Sequence, residues 1–116
     1  MRRSTYTLGI VSFLFSPLVR GQGLSTINGS VTDPSGAVVA GATITATEVD
    51  TSLARTTVSN QDGLYVISGL RPTRYTLSIE GRGFRQVTQS GIVLEANDTV
   101  TINVKLEVGA TTGQLT

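Results

Sequence analysis

The chain has 116 residues, with nine basic and eight acidic side chains and no histidine, cysteine or tryptophan. That length suits one domain, and the missing residue types exclude disulfides, thiol or serine–histidine catalysis and the usual zinc ligand sets. No concentrated basic face is present to displace counterions from a nucleic acid, so that class of partner is excluded as well.

Met1-Arg2-Arg3 is a short basic start, and Thr7 to Val19 is mostly apolar, carrying Leu8, Ile10, Val11, Phe13, Leu14, Phe15 and Leu18. Val19-Arg20-Gly21 then places modest residues where a signal peptidase reads. Residues 1–21 are therefore expected to be a secretory signal peptide cut after Gly21. The apolar run is short for a bilayer and is interrupted by Ser16-Pro17, and no later stretch approaches spanning length. The mature domain is expected to be exported, to the periplasm or the outer-membrane surface or beyond, without spanning the membrane. Arg2, Arg3 and Arg20 belong to the leader, so the remainder carries six basic against eight acidic residues, a net charge of −2. The absence of cysteine also removes a lipid-attachment site.

From Ser25 to Asp33, Ile27, Gly29 and Val31 alternate with Asn28, Ser30 and Thr32, the period of a half-buried strand. Asp33-Pro34-Ser35-Gly36 supplies a turn, with proline fixing φ and glycine closing it. After a short connection to Gly41, Ala42 to Val49 reads as a strand with Ile44 and Ala46 facing in and Thr43, Thr45 and Thr47 facing out. Asp50-Thr51-Ser52 is a loop, and Ala54 to Ser59 a further strand. Asn60-Gln61-Asp62-Gly63 is an Asp-Gly turn into Leu64 to Ser68, which is apolar on both faces. A turn at Pro72 leads to Arg74–Glu80, where Tyr75, Leu77 and Ile79 alternate with polar residues. Gly81-Arg82-Gly83 bends the chain into Phe84–Leu94, with a break at Gly91. Ala96-Asn97-Asp98 then opens a last strand in which Val100, Ile102, Val104 and Leu106 alternate with Thr101, Asn103, Lys105 and Glu107.

About seven short strands, turns every eight to twelve residues and no window of helical period predict an all-β fold. The expected architecture is a seven-stranded antiparallel β-sandwich with Greek-key connections. The expected domain covers residues 22–108, and residues 109–116 read as a linker or truncated tail.

Gly29-Ser30-Val31-Thr32-Asp33-Pro34-Ser35-Gly36, followed by Gly41-Ala42-Thr43-Ile44, resembles the opening of the carboxypeptidase regulatory-like family. The continuation Asp62-Gly63-Leu64-Tyr65-Val66-Ile67, Leu70-Arg71-Pro72, Tyr75-Thr76-Leu77-Ser78-Ile79 and Gly83-Phe84 is similar to that family's second half. The resemblance covers roughly residues 26–108. Thr73 stands where the family usually has glycine, and Val38 where proline is common. The resemblance implies a transthyretin-like (prealbumin-like) sandwich related to Cna B-type domains. It also implies a place at the front of TonB-dependent outer-membrane receptors, as an accessory domain joined to a protein partner or a fused receptor domain. Gly29, Gly36, Gly41, Gly63 and Gly83 fall at turns or bulges, Asp33, Asp62 and Pro72 at turns, and Tyr65, Tyr75 and Phe84 read as core.

No cofactor, metal or catalytic residue is expected. The carboxylates Asp33, Glu48, Asp50, Asp62, Glu80, Glu95, Asp98 and Glu107 fall on turns and outward strand positions, with no converging pair. Asn60 with Asp62, or Asn97 with Asp98, offers two or three hard oxygens where calcium needs six to eight, and these residues also favour turns for local reasons. Lys105, the only lysine, lies on the polar phase of the last strand. It is thus a poor partner for a Lys–Asn isopeptide bond, which needs a buried amine. The competing function is a weak carbohydrate-binding module. Sugars dock on exposed rings, and an exposed aromatic would favour that reading, whereas three buried rings favour a spacer or protein-contact module that uses strand edges.

Overall fold

The computed structural model describes residues 23–109, so the expected signal peptide and nearly all of the expected tail lie outside the described residues. Eight strands follow in order: β1 (Ser25–Thr32), β2 (Thr43–Glu48), β3 (Ala54–Val58), β4 (Leu64–Leu70), β5 (Arg74–Glu80), β6 (Val87–Val93), β7 (Thr99–Thr101) and β8 (Val104–Lys105). They form two sheets. One has the order β4-β1-β7, with β8 also paired to β1, and the other has the order β3-β2-β5-β6.

The period-2 pattern produces the core directly. Ile27 and Val31 of β1, Tyr65, Ile67 and Leu70 of β4, and Ile102, Val104 and Leu106 line the inner face of the first sheet. Ile44 and Ala46 of β2, Tyr75, Leu77 and Ile79 of β5, and Ile92 and Leu94 face them from the second. Each large aliphatic chain removed from water here contributes roughly 1.5–3 kcal/mol. The outer face of the second sheet is richer in small hydroxyl side chains. Thr45 stands between Thr56 and Ser78, Thr47 between Ala54 and Thr76, and Thr43 between Val58 and Glu80.

Two features depart from the expected arrangement. The last strand is not one piece but two, which makes eight strands rather than seven. The interruption has a local cause: the Ser30 amide donates to the Asn103 side chain (3.0 Å) where a ladder carbonyl would otherwise serve. Both pieces also run parallel to β1, with Thr26 opposite Thr99 and Val31 opposite Val104, while every other strand pair is antiparallel. The break expected at Gly91 is a bulge. Three residues of β5, Tyr75 to Leu77, oppose four of β6, Ile92 to Gln89. A matching bulge near Gly69 carries β4 past Ser68, so that the strand runs on to Leu70 and puts that side chain in the core.

Candidate functional site

The turns gather at the two ends of the sandwich. At one end, the Asp33 carboxylate accepts from the amides of Ser35 (2.8 Å) and Ala37 (3.0 Å) and from the Ser35 hydroxyl (2.7 Å). These bonds, led by the Ser35 hydroxyl, hold Asp33 below the ordinary carboxylate value. Next to it, the Asn60 carboxamide oxygen accepts from the amides of Asp62 (2.8 Å) and Leu64 (3.0 Å). The Asp98 carboxylate, at the far end, accepts from the Glu95 amide (2.9 Å). Of the oxygens that suggested a cation loop, those of Asn60 and Asp98 are thus engaged in closing their own turns.

The richest cluster lies at the opposite end and was missed by sequence reasoning. β2 faces inward at Ile44 and Ala46, and the same phase turns Glu48 inward at the strand's last residue. This corrects its expected outward position: Glu48 is only 7% exposed. The signal was available in the spacing 44, 46, 48, but a carboxylate in an apolar phase reads as the end of a strand.

Arg71 makes the position tenable. Its Nε donates to Oε2 of Glu48 (3.2 Å) and its Nη2 to Oε1 (3.0 Å), while the Thr51 hydroxyl donates to Oε1 (2.7 Å). A paired and hydrogen-bonded carboxylate tolerates burial. The Arg71 bonds, followed by that of Thr51, hold Glu48 below its ordinary value. Glu48 in turn raises Arg71. The Tyr75 hydroxyl donates to the Arg71 carbonyl (2.8 Å), which fixes the turn from beneath. Burial, then the Glu48 charge, pushes that phenol up. Arg74 meets Asp50 at 3.4 Å on the surface nearby.

Arg71 lines two hollows. One, of about 320 Å³, is bounded by Glu48, Leu53, Ala54, Arg55, Gly69, Leu70, Arg71 and Tyr75. The other, of about 290 Å³, is bounded by Glu48, Asp50, Thr51, Arg71, Pro72 and Thr73. Arg55 projects from β3 towards the other sheet, donating through Nη1 to the Ser68 carbonyl (3.2 Å) and through Nη2 to that of Gly69 (3.1 Å). Nothing in this cluster pairs a nucleophile with a base. Its chemistry is that of guanidinium groups, which bind and orient anions.

The residues singled out in the sequence do not converge. Gly36, Gly41, Gly63 and Gly83 all have φ between 76° and 92° and sit in connections. Asp33 closes its turn with its own carboxylate, Asp62 lies in the turn that the Asn60 side chain closes, and Pro72 lies in the β4–β5 connection beside Arg71. Tyr65 (2% exposed) and Tyr75 (1%) are fully inside, and Phe84 is partly buried against the same core. Gly29 lies inside β1 and not at the turn or bulge expected for it, where the chain at Ile102 runs close alongside that strand. A Cβ there would lie 1.8 Å from the Ile102 carbonyl oxygen, which accepts from the Tyr65 hydroxyl at 2.7 Å. Lys105 is exposed and stands opposite Thr32.

A family model described as carboxypeptidase regulatory-like domain matches residues 26–107. No curated protein sequence matches the chain. Among solved structures, catechol 1,2-dioxygenase from Pseudomonas arvilla C-1 is similar with a TM-score of 0.61 at 13% identity, over 80% of this chain and 55% of that one. The Bacillus anthracis TIE protein is similar with a TM-score of 0.62 at 12% identity, over 74% of this chain and 17% of that one. The dioxygenase domain of a dioxygenase carbohydrate-binding protein fusion from Streptomyces sp. SirexAA-E gives 0.58 at 12%, over 77% and 82%. At such identities the likeness is one of fold. The chain spans about half of the first dioxygenase and a smaller share of the TIE protein.

Proposed function

The chain belongs to the carboxypeptidase regulatory-like domain family, and from that premise we propose that it is an exported, non-enzymatic accessory module of a bacterial cell-envelope protein. In this reading it stands at the front of a TonB-dependent receptor-like assembly and acts as a spacer and a protein-contact surface. The observation that carries the reading is the use of the family's motif residues. Its aspartates and its glycines other than Gly29 sit in turns and connections, Gly29 lets the chain at Ile102 approach β1, and its tyrosines fill the core, so the motif supports a shape and leaves no reactive centre. The dioxygenase likeness extends to the fold only. A chain without histidine or cysteine, whose two buried tyrosine hydroxyls donate to carbonyls, has little with which to run such chemistry.

The buried rings also weigh against a sugar platform, because Tyr65, Tyr75 and Phe84 are the only aromatics after residue 21. What the surface offers instead is strand edges and a hydroxyl-rich sheet face, which suit contact with other proteins.

Two measurements test the reading together. Expressed in a Gram-negative host, the full chain is expected in the periplasmic fraction with a mass lacking residues 1–21. Titrated with a panel of oligosaccharides and a peptidoglycan fragment, its amide spectrum is expected to stay unchanged. An uncleaved cytoplasmic product overturns export, and saturable shifts confined to one set of loops replace the spacer with a carbohydrate-binding module.

A further inference from the structure

The larger hollow at the Glu48 end combines two guanidinium groups with an uncovered apolar wall. Arg71 uses Nε and Nη2 on Glu48, which leaves its Nη1 without a partner among the described residues. Arg55 uses Nη1 and Nη2 on the carbonyls of Ser68 and Gly69, which leaves its Nε without a partner among the described residues. Each guanidinium is therefore held by two bonds along one edge and keeps a further edge open. Such a group loses little freedom when it takes a second carboxylate. The charge is also uneven, because the only carboxylate lining the hollow among the described residues, Glu48, is already paired with Arg71. The Arg71 side chain remains 57% exposed and reachable. Leu53, Ala54 and Leu70 complete the wall, and Leu53 is itself 57% exposed.

We propose that this hollow captures the C-terminal carboxylate of a protein partner whose last residue is aliphatic. The inference rests on the protein-contact reading above and names the chemistry of the contact. A chain terminus carries its carboxylate and its own side chain on the same carbon, which matches guanidinium groups set beside leucines. An aspartate or glutamate side chain holds its charge away from any apolar group. The approach is provided by β3, an edge strand of its sheet, whose first residue, Ala54, lines the hollow. A segment running antiparallel to β3 would end at that point, with the open edge of β3 to pair against.

The test is an amide-resolved titration of the full 116-residue chain with three acetylated peptides. The first is Thr-Val-Thr-Val-Leu with a free terminus, the second is its amide, and the third is an amidated peptide with an internal glutamate. Saturable shifts at Leu53, Arg55, Gly69 and Arg71 are expected from the free acid, with amidation weakening binding about tenfold or more. Arg71→Lys keeps a positive charge opposite Glu48 but lacks the second donor edge, so it should weaken the free acid similarly while leaving a dispersed spectrum. Arg55→Gln should weaken it by a second, independent route. Equal binding of the amide or of the glutamate peptide overturns the terminus assignment. A silent titration overturns the hollow as a site, and the spacer reading is then judged separately by export and the sugar panel.

Discussion

At Gly29, Tyr65 and Ile102 three residues from distant parts of the chain meet on one carbonyl oxygen. The Ile102 carbonyl comes so close to β1 that a Cβ on Gly29 would stand 1.8 Å from its oxygen and 2.6 Å from its carbon. Both obstacles are backbone, which yields less easily than a side chain, so Gly29→Ala is expected to destabilise the fold by about 3 kcal/mol or more, read from urea denaturation. Tyr65→Phe leaves that carbonyl without its buried donor and should cost about 1–3 kcal/mol. The double variant should cost less than the sum, since both changes act on the same carbonyl. The sequence shows that Gly29 is unusual but not why. Its partner lies 73 residues away, and alternation reports the face a residue occupies, not the segment that runs beside it. Glu48 illustrates the opposite case, where the spacing was legible but the charge argued against it until Arg71 was seen.

Among the elements, the turns were the most legible because their chemistry is local: Asn60 and Asp33 close their loops with their own side chains, as residues of those types do. Even so, two glycines that look alike in the sequence differ in the structure. Gly36 and Gly63 both have positive φ, but a Cβ on Gly36 meets nothing, whereas one on Gly63 would lie 2.8 Å from the Val31 carbonyl and from the Val38 side chain. Gly36→Ala should therefore cost about 1–2 kcal/mol, the strain alone, and Gly63→Ala clearly more, a difference that urea midpoints would show. Ser59 is a second element-level control. Buried at the end of β3, its hydroxyl accepts from the Ala42 amide (2.9 Å) and donates to the Val39 carbonyl (2.8 Å), joining β2, β3 and the preceding loop. Ser59→Ala leaves both unpaired and should cost about 1–3 kcal/mol, with faster amide exchange at Ala42 as the local signature. The parallel placement of β7 and β8 was not legible, because pairing direction depends on how chain ends are brought together in space and leaves no mark on the period-2 pattern.

For the whole molecule, the lack of histidine leaves no side chain with an ordinary value near neutrality, so stability should be flat across the neutral range and fall at both ends. On the acid side, Glu48 and Asp33 are held below their ordinary values of 4.5 and 3.8. The unfolded chain then takes up protons first, so their contribution is present above those values and lost as pH falls through and below them. On the alkaline side, burial pushes the Tyr65 phenol from 10.0 up to about 12. Its contribution is complete below 10 and disappears as pH rises towards 12. Melting temperatures measured against pH should show this plateau, with Glu48→Gln flattening the acid limb and Tyr65→Phe the alkaline one. The parallel pairing has a mechanical consequence. The chain enters the first sheet at the Thr26 end of β1 and leaves it at the Lys105 end of β8, at opposite ends of an interrupted parallel run in which Thr26 faces Thr99 and Thr32 faces Lys105. Tension applied through the two flanking segments would drag these strands lengthwise past each other, loading the rungs together in shear instead of peeling them one at a time. A pull along the module's length would thus meet the strands at their most resistant, as a pull on a link in a chain does.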